Sequence, residues 1–70
     1  MTHHEVMKDK DYNLVSALYH ALQGAETSAV YLRDAESQGD GEVAKYFRDI
    51  QSQYLQMAES AKKLLGKRIN

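Results

Sequence analysis

The sequence has no cysteine, no proline and no tryptophan, and only one phenylalanine. Without cysteine there can be no disulfide, thiolate-bound zinc or iron–sulfur cluster. Without proline, nothing interrupts a helix from within. An excess of one charge is missing too: nine basic residues stand against ten acidic ones, interspersed, for a net charge of −1. That balance lacks the basic footprint of a nucleic-acid binder, and it argues against a basic helix lying on a membrane surface. Nor is there a long apolar run. The longest uncharged stretch, Tyr12 to Ala25, contains Asn13, Ser16, His20 and Gln23, and is too short and too polar to span a bilayer. The opening Met1-Thr2-His3-His4-Glu5 lacks the basic and then apolar order of a secretory signal, so a cytoplasmic location is expected.

Seventy residues make one domain at most. A core of that size rarely supplies more than about 3–5 kcal/mol without a disulfide, a metal or a partner chain. With disulfides excluded, oligomerisation or a metal held by nitrogen and oxygen remains.

Apolar residues recur with helical periods. Val15, Leu18, Leu22, Ala25, Ala29 and Leu32 are spaced alternately by three and four, a heptad seam that Leu14, Ala21 and Ala35 broaden on one flank. A second seam runs Val43, Phe47, Ile50, Tyr54, Met57, Ala61 and Leu64, broadened by Ala44, Tyr46, Ala58 and Leu65. Asp9 or Asp11 suits the first N-cap, Gly39 the left-handed helix stop, and Asp40 the second N-cap. Gly66, behind Lys62 and Lys63, reads as the final stop. The expectation is therefore all-α: a flexible polar tail at 1–10, then a helical hairpin at 11–70. Helix 1 covers about 11–38, the turn 39–41, and helix 2 about 41–66.

Two helices cannot cover both flanks of seams this broad. The hairpin is expected to dimerise into a four-helix bundle, a two-fold pair being the commonest closed assembly. The residues expected to pack the core and the dimer are Leu14, Leu18, Ala21, Leu22, Gly24, Tyr46, Phe47, Ile50, Tyr54, Met57, Leu64 and Leu65. Ala17, Ala21, Gly24 and Ser28 form a stripe of small residues. A glycine inside a helix costs about 1 kcal/mol relative to alanine, so Gly24 either serves a close approach or is merely tolerated on an exposed face.

The run from Tyr31 to Arg48 is similar to the first helical hairpin of rubrerythrins and other ferritin-like proteins. In those, an aromatic residue and an A-x-x-x-G turn lead into an (I/V)-A-x-x-F segment. Here the features fall on Tyr31, on Ala35 with Gly39, and on Val43, Ala44 and Phe47, and the resemblance covers roughly residues 14 to 60. It implies a ferritin-like bundle. The family binds iron or manganese through a glutamate on the first helix and an E-x-x-H pair on the second. Those slots fall on Ala21, Tyr54 and Met57, none of them a carboxylate or imidazole, and the chain contains no E-x-x-H or H-x-x-E anywhere. The resemblance therefore implies a half-bundle whose metal site is filled by core side chains.

Other candidates are few. His20 sits at a solvent-facing heptad position. His3 and His4 belong to a polar tail, or, with Met1 removed, to a free amino terminus able to wrap Cu(II) or Ni(II). Tyr12, Tyr19, Val30 and Tyr31 read either as an outward partner surface or as rings covering the dimer edge. No nucleophile–base pair, phosphate-cradling glycine loop or redox motif is present, so neither an enzyme nor a cofactor is expected. The leading expectation is a non-enzymatic, dimerising helical module that acts through contacts with an unidentified protein, without nucleic acid or membrane. The alternative is a ferritin-like metal-binding protein with its site assembled across the oligomer, from His20, Glu26, Glu36 and Glu59.

Overall fold

The computed structural model describes residues 9–69, which form two helices, α1 (Lys10–Ser37) and α2 (Gly41–Ile69), packed against one another as a hairpin. The helix ends follow from local chemistry. Asp9 is the N-cap of α1, its Oδ1 accepting from the N–H groups of Asp11 at 2.9 Å and Tyr12 at 3.2 Å. At the other end Gly39 has φ +72°. Its N–H donates to the Glu36 carbonyl at 3.1 Å, and the Asp40 N–H donates to the Ala35 carbonyl at 3.0 Å. These paired bonds are the Schellman stop. Asp40 then caps α2, its Oδ1 accepting from the Val43 N–H at 3.1 Å. One aspartate thus ends one helix and begins the next, which is why three residues suffice for the turn. Gly39→Ala is expected to cost about 1–2 kcal/mol, because an L side chain is disfavoured in the left-handed region. Thermal melting checks it, and an unchanged midpoint would mean that the turn tolerates a Cβ there.

The first helix begins within one residue of its expected start, and the second runs past its expected end. The first helix begins at Lys10, inside the segment read as tail, because the Asp9 cap is already in place; residues 1–8 lie outside the described residues. The second helix does not stop at Gly66 but continues to Ile69. Among the described residues only Gly39 has a positive φ, so Gly66 is an ordinary helical residue. Lys67 and Arg68 occupy the last turn, where cations complement the helix dipole.

The seam that closes the hairpin is made of small residues. Ala21, Ala25, Ser28 and Ala35 of α1 are buried, as are Ala44, Ala58 and Ala61 of α2. With the half-buried Leu14, Leu18 and Leu32 on α1, and Phe47, Gln51, Tyr54 and Leu65 on α2, each set is spaced alternately by three and four. These seams share Leu18, Ala25 and Leu32, and Phe47, Tyr54 and Ala61, with the seams read from the sequence. The other positions move by one residue. Val15, Leu22, Val43, Met57 and Leu64 turn aside and remain exposed. Alanine and serine let the helix axes approach closely, and the bulkier neighbours are pushed to the flanks. Among the described residues, no large side chain is fully buried.

Ion pairs add little. Glu36 reaches Arg48 across the helices at 3.3 Å near the turn, and Asp11 reaches Arg68 at 3.4 Å at the open end. All four side chains are well exposed, and such pairs contribute about 0–1 kcal/mol each.

Candidate functional site

The flanking side chains divide the hairpin into two faces of different chemistry. On one, α2 carries the heptad stripe Val43, Ile50, Met57 and Leu64, opposite Leu14, Gly24 and Tyr31 of α1. Two open grooves lie on this face. One is lined by residues that include His20, Gly24, Thr27, Tyr31, Tyr46 and Tyr54. The other is lined by residues that include Leu14, Gln53, Gln56, Met57 and Leu64. No Asp, Glu, Lys or Arg lines either groove; Asp34 enters toward the turn, and heptad spacing from Tyr31 and Ser60 places Lys10 and Lys67 at the open end of this face.

The other face has apolar side chains set among charges. Tyr19, Leu22 and Leu55 line a groove together with Glu26, while Tyr12, Val15 and Leu65 line another with Asp9, Asp11 and Arg68. Heptad spacing from Leu55 and Ala29 places Arg48 and Glu36, an ion pair, on this face as well. The tyrosines are thereby separated: Tyr12 and Tyr19 belong to the charged face and Tyr31 to the uncharged one, so the single outward patch considered above does not form.

At the middle of the uncharged face, the Tyr54 ring lies directly on Gly24. A Cβ built on Gly24 would stand 2.5–2.7 Å from three atoms of that ring, well inside any real carbon–carbon contact. Gly24 is therefore a close-approach glycine, and α1 has a notch that admits the ring. Nearer the turn, Tyr31 of α1 packs on Phe47 of α2 with ring centroids 5.3 Å apart, and Tyr46 meets Phe47 edge-on at 5.2 Å. These distances fall in the favourable range for tilted aromatic pairs.

Of the residues expected to pack, Ala21 is buried and Leu14, Leu18, Gly24, Phe47, Ile50, Tyr54 and Leu65 are half-buried. Tyr46, Met57 and Leu64 are exposed on the uncharged face, and Leu22 is exposed on the charged one. Sequence reasoning missed Leu55, which is 48% exposed; it fits neither seam, and only the placement of the flanks reveals it.

The candidate ligands are dispersed. His20 is exposed, its ring edge-on to Tyr19 at 5.4 Å, and Glu26 is exposed beside Leu22. Glu36 pairs with Arg48, and Glu59 approaches Lys62 at 3.9 Å. Among the described residues, no three His, Cys, Asp or Glu side chains gather as a metal would require; His3 and His4 lie outside the described residues. Also among the described residues, no helix is long and apolar enough to cross a membrane. No protein-family model, curated protein or solved structure matches this chain.

Proposed function

We propose that this chain is a non-enzymatic helical module whose working unit is a homodimer. Two hairpins form a four-helix bundle of ferritin-like ancestry that acts by binding another protein. The observation that carries this reading is the mismatch between the seam and its flanks. The hairpin buries alanines and a serine, while its large apolar side chains stay in water. Met57 is 52% exposed, Tyr46 59%, Tyr31 48% and Leu64 42%. Complete burial of such a side chain contributes about 1.5–3 kcal/mol, so covering the exposed half of each contributes about 1 kcal/mol. Several such contributions per protomer are a large share of the roughly 5–15 kcal/mol that stabilises a typical domain.

Ferritin-like ancestry rests on the resemblance alone. Under that alignment the three ligand slots hold a buried methyl at Ala21, a ring seated on Gly24 at Tyr54, and a thioether at Met57. None of them is a carboxylate or an imidazole, the ligands that the family's iron or manganese site uses.

Native mass spectrometry of the untagged protein tests the reading. The expected species has twice the 8.0 kDa chain mass and carries no transition metal. A monomer at micromolar concentration would remove the dimer. Stoichiometric iron, manganese or zinc would transfer the reading to a metal site built across the oligomer.

A further inference from the structure

We propose that the two copies dock head to tail through the uncharged face, about a two-fold axis at the level of Gly24 and Tyr54. Each α2 then lies along α2 of the other copy, and the two turns sit at opposite ends of the bundle. The proposal rests on the homodimer reading above and goes further, naming the face and the polarity.

Charge selects the face. Covering the grooves beside Tyr54 and Met57 removes no formal charge from water, and docking as far as Val43 meets one carboxylate, Asp34. Covering the opposite face would desolvate Glu26, Asp11 and Arg68, together with the Glu36–Arg48 pair. Taking charges out of water in that way costs several kcal/mol per ion.

Position supplies the axis. The stripe Val43, Ile50, Met57 and Leu64 has its midpoint between residues 53 and 54. Tyr54 is also the residue that lies against Gly24 of α1. A two-fold axis at that level lays the stripe on its own copy in reverse order. Val43 of one chain meets Leu64 of the other, and Ile50 meets Met57.

Charge also selects the polarity. The half of the hairpin nearer the turn, residues 25–54, carries six acidic and three basic residues. The other half, residues 9–24 and 55–68, carries five basic and three acidic. Head-to-tail docking sets the acidic half of each copy beside the basic half of the other. With both turns at the same end, the halves of like net charge would lie at the same level of the bundle, a long-range repulsion that head-to-tail docking avoids.

Because the chain has no cysteine, a single introduced thiol can carry a nitroxide label without competition. Full-length Q38C and Q53C, each labelled and measured by pulsed dipolar spectroscopy, decide the geometry. Gln38 lies some fourteen residues from the axis level, so its two labels are expected about 40 Å apart at 1.5 Å per residue. The two Gln53 labels, close to the axis, are expected within about 20 Å, the width of two packed helices. Dimer affinity is expected to fall as salt is added, since the complementary halves are screened. A Gln38 separation of about 20 Å or less would put the turns together and overturn the polarity. A Gln53 separation above about 30 Å would overturn the face. A monomer in native mass spectrometry would instead withdraw the homodimer itself, so the two failures are distinguishable.

Discussion

Aspartate at Met57 is expected to dissociate the dimer and melt most of the helix, whereas aspartate at Leu22 is expected to leave both intact. In the isolated hairpin the two side chains are nearly equivalent, 52% and 45% exposed. Burial within one chain therefore predicts the same mild effect for both. They differ in the face they occupy. Met57 lies on the uncharged face, near the proposed axis, and each dimer would bury two unpaired carboxylates there. An uncompensated buried charge costs on the order of 3–5 kcal/mol, more than a chain of this length can lose. Leu22 lies beside Glu26 on the charged face. Its replacement loses the covered half of the leucine, about 1 kcal/mol, and meets the i,i+4 repulsion from that glutamate, a few tenths of a kcal/mol. Together these fall well short of the cost of a buried unpaired charge. Sedimentation velocity and thermal melting followed by far-UV circular dichroism read both quantities. If both variants dissociate, the interface wraps both flanks. If only Leu22→Asp does, the charged face is the interface and the assignment above is inverted.

The same pair of residues shows what could be read from the sequence and what could not. Helix existence and helix ends depend on neighbours within a few residues. Asp9, Gly39 and Asp40 accordingly placed three of the four ends to within about one residue. The fourth failed because glycine is permissive as well as helix-terminating, and nothing local distinguishes a Gly66 that stops a helix from one that lies inside it. The seam depends on what the partner helix tolerates. Two overlapping heptads fit each helix, one richer in Leu, Val, Ile and Met, the other in Ala and Ser. Counting hydrophobic bulk favours the first, whereas close packing of a two-helix hairpin uses the second and leaves most of the first exposed on the flanks. A register shared at Leu18, Ala25, Leu32, Phe47, Tyr54 and Ala61 therefore concealed an error of one residue at Val15, Leu22, Val43, Met57 and Leu64. That difference separates a position in the seam from one on an exposed flank. The charged and uncharged faces were likewise hidden, because overall charge is balanced and only the flanks segregate it.

Gly24 supplies the second test, in which local propensity and packing oppose one another. Alanine favours a helix interior over glycine by about 1 kcal/mol, so on an exposed face Gly24→Ala would stabilise the protein. Here the added methyl would stand 2.5–2.7 Å from the Tyr54 ring. The contact is with ring atoms Cδ1, Cε1 and Cζ rather than a flexible chain end, so relief requires the whole ring to swing out of the notch. Overpacking of this kind costs about 1–3 kcal/mol, enough to cancel or reverse the propensity gain. Gly24→Ala is therefore expected to be neutral to destabilising, by up to about 2 kcal/mol. Removing the ring should reverse the sign. In a Tyr54→Ala background, itself destabilised by lost burial, the same Gly24→Ala change is expected to stabilise by about 1 kcal/mol. A double-mutant cycle by chemical denaturation isolates the coupling, expected at about 1–3 kcal/mol and as large as neighbours in contact show. If Gly24→Ala stabilises both backgrounds equally, the ring does not occupy the notch in solution. The middle of the uncharged face would then be open, and the two-fold axis would lose the feature that fixes its level.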